Sequence, residues 1–72
     1  MSDARQAISV AREAGAAEHA ANDLRAAVEH LENAERNLNE RRYENARHHA
    51  EQAKVKALDA LQLSESATED NP

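Results

Sequence analysis

The chain has 72 residues, 17 of them alanine, carries a formal net charge of −5, and contains no cysteine, tryptophan or phenylalanine. A chain of this length forms one domain at most. The negative charge disfavours binding to nucleic acid and to anionic lipid, because both present phosphate groups of the same sign.

The first predicted helix covers residues 3–14. Its apolar side chains recur three or four residues apart, which places them on one helical face. Gly15 follows directly, at a position where helices often end in a left-handed residue. The face consists of Ala4, Ala7, Ile8, Ala11 and Ala14, and we expect Ile8 and Ala11 to contribute to the core.

The second predicted helix covers about residues 20–39 and carries larger apolar side chains. Asn22 and Asp23 offer capping oxygens and a favourable negative charge near its start. The predicted core positions on this helix are Leu24, Val28, Leu31, Ala34 and Leu38.

The third predicted helix covers about residues 43–64 and presents alanine where the second presents leucine and valine. Its predicted core positions are Tyr43, Ala46, Ala50, Ala53 and Ala57. Val55, Leu58 and Leu61 form a second, flanking stripe that three short helices cannot bury completely. We therefore expect this stripe to stay exposed and to form a partner surface.

A turn between the second and third helices is needed if their apolar faces are to meet. After Leu38 the next core position falls at Arg41 or Arg42, both charged, and the apolar pattern resumes at Tyr43. We therefore predict a turn around residues 39–42 and an antiparallel pairing of the two helices. The alternative is one long kinked helix in an intermolecular coiled coil.

These elements predict an all-α fold, in which a short helix accompanies an antiparallel two-helix hairpin. The helical module spans residues 3–64. Residues 65–72 are polar and acidic without periodicity, which is typical of a disordered tail or the start of a linker.

The predicted core is small, because only twelve apolar side chains are larger than alanine. At about 25 cal/mol per Å² of buried apolar area, such a core stabilises a monomer weakly. We therefore expect a protein partner, and in the first place a homo-oligomer. The longest apolar runs have two or three residues, so we expect no direct membrane insertion by this segment.

Residues that could carry chemistry are scattered. His48 and His49 point about 100° apart on a helix and cannot readily share one metal ion. Glu44 and His48 share a face but supply only two ligands, fewer than zinc sites use. No phosphate loop or serine nucleophile motif is present. The sequence therefore predicts no enzyme, no catalytic residue, no metal and no cofactor. A metal- or pH-responsive site at Glu44, His48 and His49 stays open as a further hypothesis.

Part of the sequence resembles the turn of a tetratricopeptide-type helical hairpin. The resemblance is carried by Leu31-x-x-Ala34, then Arg42-Tyr43-x-x-Ala46, then Ala50 and Ala53. Arg41 stands where that pattern usually has glycine in the turn. The resemblance implies two antiparallel helices, and hence a TPR-like three-helix arrangement.

A longer stretch, from about residue 4 to residue 60, resembles an alanine-rich bacterial domain of unknown function. The matching residues include Ala7, Ala11, Ala14-Gly15-Ala16, Ala20-Ala21, Leu24, Leu31, Ala34, Tyr43, Ala46-Arg47 and Ala50-Glu51-Gln52-Ala53. That family typically occurs in small exported lipoproteins of Gram-negative bacteria and in front of OmpA-like peptidoglycan-binding domains. It often has proline at the position of Ala21 and glycine at that of Arg41.

The resemblance implies a periplasmic location, with an outer-membrane association through a lipid anchor in the full-length precursor. On that basis we expect a non-enzymatic protein-interaction or spacer module of the bacterial cell envelope that self-associates. The alternative is a cytoplasmic coiled-coil or adaptor protein that starts at Met1.

Overall fold

The computed structural model describes the backbone of residues 2–69 and the side chains of residues 2–66. The chain forms four helices: α1 (Ser2–Glu13), α2 (Ala16–His19), α3 (Ala21–Asn39) and α4 (Tyr43–Glu69). No strand occurs in the described range. The predicted all-α class is confirmed.

The helices α3 and α4 run antiparallel, and α1 lies along both of them. His30 of α3 lies beside His49 of α4, whereas Asp23, near the start of α3, shares a groove with Asp59 further along α4. Arg5 of α1 forms an ion pair with Glu35 near the end of α3. The described chain is elongated, with principal extents of 50 × 17 × 14 Å. The three longer helices, α1, α3 and α4, therefore lie side by side, and α1 is the shortest of them.

The turn between α3 and α4 is a Schellman motif. The Arg42 amide donates to the Asn37 carbonyl at 2.8 Å, and the Arg41 amide donates to the Leu38 carbonyl at 3.0 Å. These two bonds satisfy carbonyls that the end of α3 leaves unpaired. Arg41 adopts a φ of 62°, the left-handed conformation that the motif requires. The chain therefore reverses direction here, and α3 and α4 are separate helices.

The connection between α1 and α3 contains a short helix that the sequence did not predict. Gly15 ends α1 with a φ of 91°, and its amide donates to the Arg12 carbonyl at 3.0 Å. The four-residue α2 follows, and Ala20 breaks the helix with a φ of −145°. Ala16 and Ala20 are both buried, so α2 closes the end of the core.

The core consists almost entirely of alanine. Of the twelve buried apolar side chains among the described residues, only Ile8 and Leu24 are larger than a methyl group. Alanine allows helix axes to approach closely, because no long side chain separates them. The buried alanines are Ala4, Ala11, Ala16, Ala20, Ala27, Ala34, Ala46, Ala53, Ala57 and Ala60.

The end of α4 differs from the expectation of a disordered tail from residue 65. The helix continues to Glu69, five residues beyond the predicted end at 64. Ser64 is fully buried on the same face as Ala57 and Ala60, so the packed face extends further than the apolar residues indicate. The rest of the expected tail, residues 70–72, lies outside the described residues.

Candidate interaction surface

Most of the predicted core residues lie in the interior. Three are partly buried at its edge, namely Val28, Leu31 and Ala50. The buried members are Ile8, Ala11, Leu24, Ala34, Ala46, Ala53 and Ala57.

Leu38 and Tyr43 do not belong to the core, and their assignment to it was wrong. Leu38 is 44% exposed and Tyr43 is 60% exposed. Leu38 lines an open groove together with Ser2, at the start of α1, and Ala46 of α4, so the packing at the turn end of the hairpin leaves its side chain accessible. Tyr43 occupies the first position of α4, directly after the turn.

The predicted partner surface is exposed in two of its three members. Val55 is 49% exposed and Leu58 is 44% exposed, whereas Leu61 is partly buried and packs against the core. The difference follows from helical geometry, because Leu61 lies closer to the face of Ala57 and Ala60 than the other two do.

The exposed side chains of α4 continue onto α1. Val10 is 42% exposed. It lines a shallow groove of about 300 Å³ together with Ala7, Leu58 and Leu61. We call Val10, Val55 and Leu58 the apolar ridge.

Val10 was not predicted as a surface residue. A signal for it exists in the sequence, since two residues of helix place Val10 about 200° from Ile8 and thus away from the core face. Leu63, at 51% exposure, was missed in the same way. It lines a different groove, together with Asp23 and Asp59.

The rim of the apolar ridge carries charges of both signs. Lys54 and Asp3 lie 4.0 Å apart at one end of the groove. Both are well exposed, so solvent screens the pair and it adds little to stability. The pair places one positive and one negative charge at that end of the groove.

Two histidines from different helices meet at the interface of α3 and α4. The Nδ1 atoms of His30 and His49 lie 3.2 Å apart, and the two ring centroids are separated by 5.4 Å. Both side chains are partly buried. Neutral imidazole both donates and accepts through its ring nitrogens, so one ring donates to the other.

Glu44, His48 and His49, the candidate site from the sequence, do not form a group that encloses a ligand. The rings of His48 and His49 meet edge to face with centroids 5.8 Å apart, but Glu44 and His48 are exposed. Within the part of the chain that the structure describes, no three His, Cys, Asp or Glu side chains are grouped closely enough to hold a metal ion.

None of the helices described here is both long enough and apolar enough to cross a bilayer.

Together, these features define a small all-α module with an alanine core and an exposed apolar ridge. The chain belongs to the family described as Domain of unknown function (DUF4398), whose model matches residues 1–71. No curated protein and no solved structure matches the chain.

Proposed function

We propose that this chain is a non-enzymatic helical protein-interaction module that associates with a second copy of itself through the apolar ridge. The observation that carries the proposal is the distribution of its larger side chains. Val10, Val55 and Leu58 are each more than 40% exposed, whereas nearly all the buried apolar side chains are alanine.

The free energy of burying apolar side chains favours a partner that covers the apolar ridge. Complete burial of a valine or leucine side chain is worth roughly 1.5–3 kcal/mol relative to full exposure. About half of that remains to be gained at each ridge residue. A symmetric dimer buries the same patch on both copies, so six side chains contribute instead of three.

The charges also favour a second copy as the occupant. The chain as a whole carries a charge of −5, which repels another copy at long range. At the ridge, however, Asp3 and Lys54 place opposite charges side by side. Two copies that meet there do not bring surfaces of one sign together.

The test is sedimentation equilibrium over a wide range of concentration, with the chain as given and with Val55→Ser/Leu58→Ser. We expect the unmodified chain to show a mass above that of the monomer, and the double variant to shift the equilibrium towards the monomer by at least about tenfold in dissociation constant. That factor corresponds to about 1.4 kcal/mol, less than the burial of two side chains provides.

Leu63→Ser is the matched control, because Leu63 is similarly exposed but lines a different groove, together with Asp23 and Asp59. It should leave the association unchanged. A chain that stays monomeric at millimolar concentration, or an equal effect of Leu63→Ser, contradicts the proposal.

The bacterial cell envelope is the proposed location, with the module as a spacer or interaction surface in the periplasm, associated with the outer membrane. The support is the resemblance to a domain found in exported lipoproteins and next to OmpA-like domains. Fractionation of cells that express the complete gene tests it. Release with the periplasmic or outer-membrane fraction supports the proposal, whereas recovery in the cytosol favours a cytoplasmic adaptor.

A further inference from the structure

The histidine pair at the α3–α4 interface joins two residues that are 19 positions apart in the chain. Their Nδ1 atoms lie 3.2 Å from each other. Small neighbours make this approach feasible, since Ala27 and Ala34 flank His30 on α3 and Ala46 and Ala53 flank His49 on α4, and all four alanines are buried.

We propose that His30 and His49 form a two-ligand binding site for a divalent transition-metal ion such as Zn²⁺. The separation of the two nitrogens supports this assignment. Two nitrogens bound to zinc at about 2.0–2.1 Å lie roughly 3.3–3.4 Å apart at the tetrahedral angle, and about 2.9 Å apart at a right angle. The observed 3.2 Å falls between these values, so the distance between the two nitrogens suits chelation, and binding requires the rings to turn until both Nδ1 lone pairs face the ion.

The chemistry of the ligands selects the class of ion. Imidazole nitrogen suits zinc, copper and nickel, whereas magnesium and calcium prefer oxygen. Four-coordinate zinc has two remaining positions, which water or an external ligand fills. No third protein ligand from the described residues is grouped with the pair, so we expect weaker binding than at a structural zinc site.

Binding replaces the hydrogen bond between the rings. In the free protein one Nδ1 carries the shared proton, and both Nδ1 atoms must be unprotonated to bind the ion. That proton moves through solvent to Nε2 of the same ring, and the imidazole stays neutral. No proton is released overall. The ion then joins α3 to α4 and stabilises the hairpin.

The first test is thermal unfolding and calorimetric titration of the untagged chain at pH 7.5 with ZnCl₂, and with MgCl₂ as the control ion. We expect zinc to raise the melting temperature and magnesium to leave it unchanged. His30→Gln and His49→Gln should each weaken zinc binding by at least about tenfold, because even loss of an outer-shell partner costs 10- to 100-fold.

Two further variants locate the site. His19→Gln removes an exposed histidine of α2 and should retain the affinity of the unmodified chain. His48→Gln should do the same. If His48→Gln abolishes binding while His30→Gln does not, the ion sits on the exposed face of α4, and the proposal is wrong.

Nuclear magnetic resonance keeps the test decisive even if a variant fails to fold. In the unmodified chain, zinc should shift the Nδ1 resonances of His30 and His49 in step, with a stoichiometry of one ion per chain. Saturating zinc that moves neither resonance, or moves only one of them, overturns the proposal.

Discussion

The hydroxyl group of Ser64 donates a 2.8 Å hydrogen bond to the carbonyl oxygen of Ala60, and the Ser64 side chain is completely buried. A serine in the middle of a helix often satisfies its hydroxyl in this way, by bonding to the carbonyl four residues earlier. Ser64 therefore behaves as a small core residue. Because it continues the face of Ala53, Ala57 and Ala60, the packed face of α4 extends to Ser64.

Replacement of Ser64 by leucine tests whether this position is closely packed. We expect Ser64→Leu to lower the free energy of unfolding by about 1–3 kcal/mol, since a larger side chain in a filled space forces its neighbours apart. Urea denaturation monitored by circular dichroism measures the change. Ser66→Leu, at an exposed position two residues further on, should stay within about 0.5 kcal/mol. Equal effects of the two substitutions would show that residue 64 is open to solvent.

Ala53 tests the close approach of α3 and α4 at the middle of the hairpin. It has no exposed surface, so Ala53→Leu should also cost about 1–3 kcal/mol through overpacking. Ala50→Leu should cost less, because Ala50 is only partly buried. Glu51→Leu places the same side chain on the exposed face of the same helix and serves as the control. An Ala53→Leu variant as stable as Glu51→Leu would mean that the helix axes leave room for leucine.

The sequence predicted those features that depend on neighbours along the chain. The spacing of Ala46, Ala50, Ala53 and Ala57 indicated a packed helical face, and the charged pair Arg41-Arg42 indicated a turn. Both inferences rest on local periodicity, which a single sequence records directly.

The exposure at the turn end of the hairpin was not predicted. Leu38 continues the apolar stripe of α3 as well as Leu31 does, yet it is 44% exposed and lines an open groove with Ser2 and Ala46. No local pattern in α3 records how completely another helix covers each of its apolar residues.

The histidine pair also escaped prediction, for a related reason. Sequence spacing drew attention to Glu44 and His48, which share a face of one helix. His30 meets His49 only through the register that the turn sets between α3 and α4. A difference of one residue in the turn would change that register, so the pairing follows from tertiary structure alone.

Substitution of Gly15 provides the next test, because Gly15 has a left-handed backbone conformation that destabilises most other residues. Its φ is 91°, and a Cβ atom there would lie 3.3 Å from Cδ2 of His19. We expect Gly15→Ala to lower the free energy of unfolding by about 1–2 kcal/mol, the cost of a left-handed residue with a side chain. Gly15→Asn should cost less, because asparagine tolerates this conformation better. Thermal denaturation of both variants shows which is more stable. A Gly15→Ala variant at least as stable as Gly15→Asn would contradict the prediction.

Arg41 offers the converse substitution, in which glycine should increase stability. Arg41 is the one non-glycine residue with a positive φ in the described range, at 62°, and it holds the position of the Schellman motif where glycine is favoured. Arg41→Gly relieves about 1–2 kcal/mol of backbone strain in the folded state. The greater freedom of the unfolded chain opposes this effect and lowers stability by roughly 0.5–1 kcal/mol.

Arg41→Gly should therefore raise the free energy of unfolding by about 0.5–1 kcal/mol in total. Urea denaturation at a protein concentration where the association state is fixed measures this change. Arg42→Gly is the matched control, because it removes the same charge from the same turn but at a residue without a positive φ. Arg42→Gly should lower the free energy of unfolding, because glycine increases the conformational entropy of the unfolded chain and relieves no backbone strain at this position. If both glycines destabilise the protein equally, Arg41 is not strained, and the reversal of the chain between α3 and α4 depends on helix packing instead of the turn.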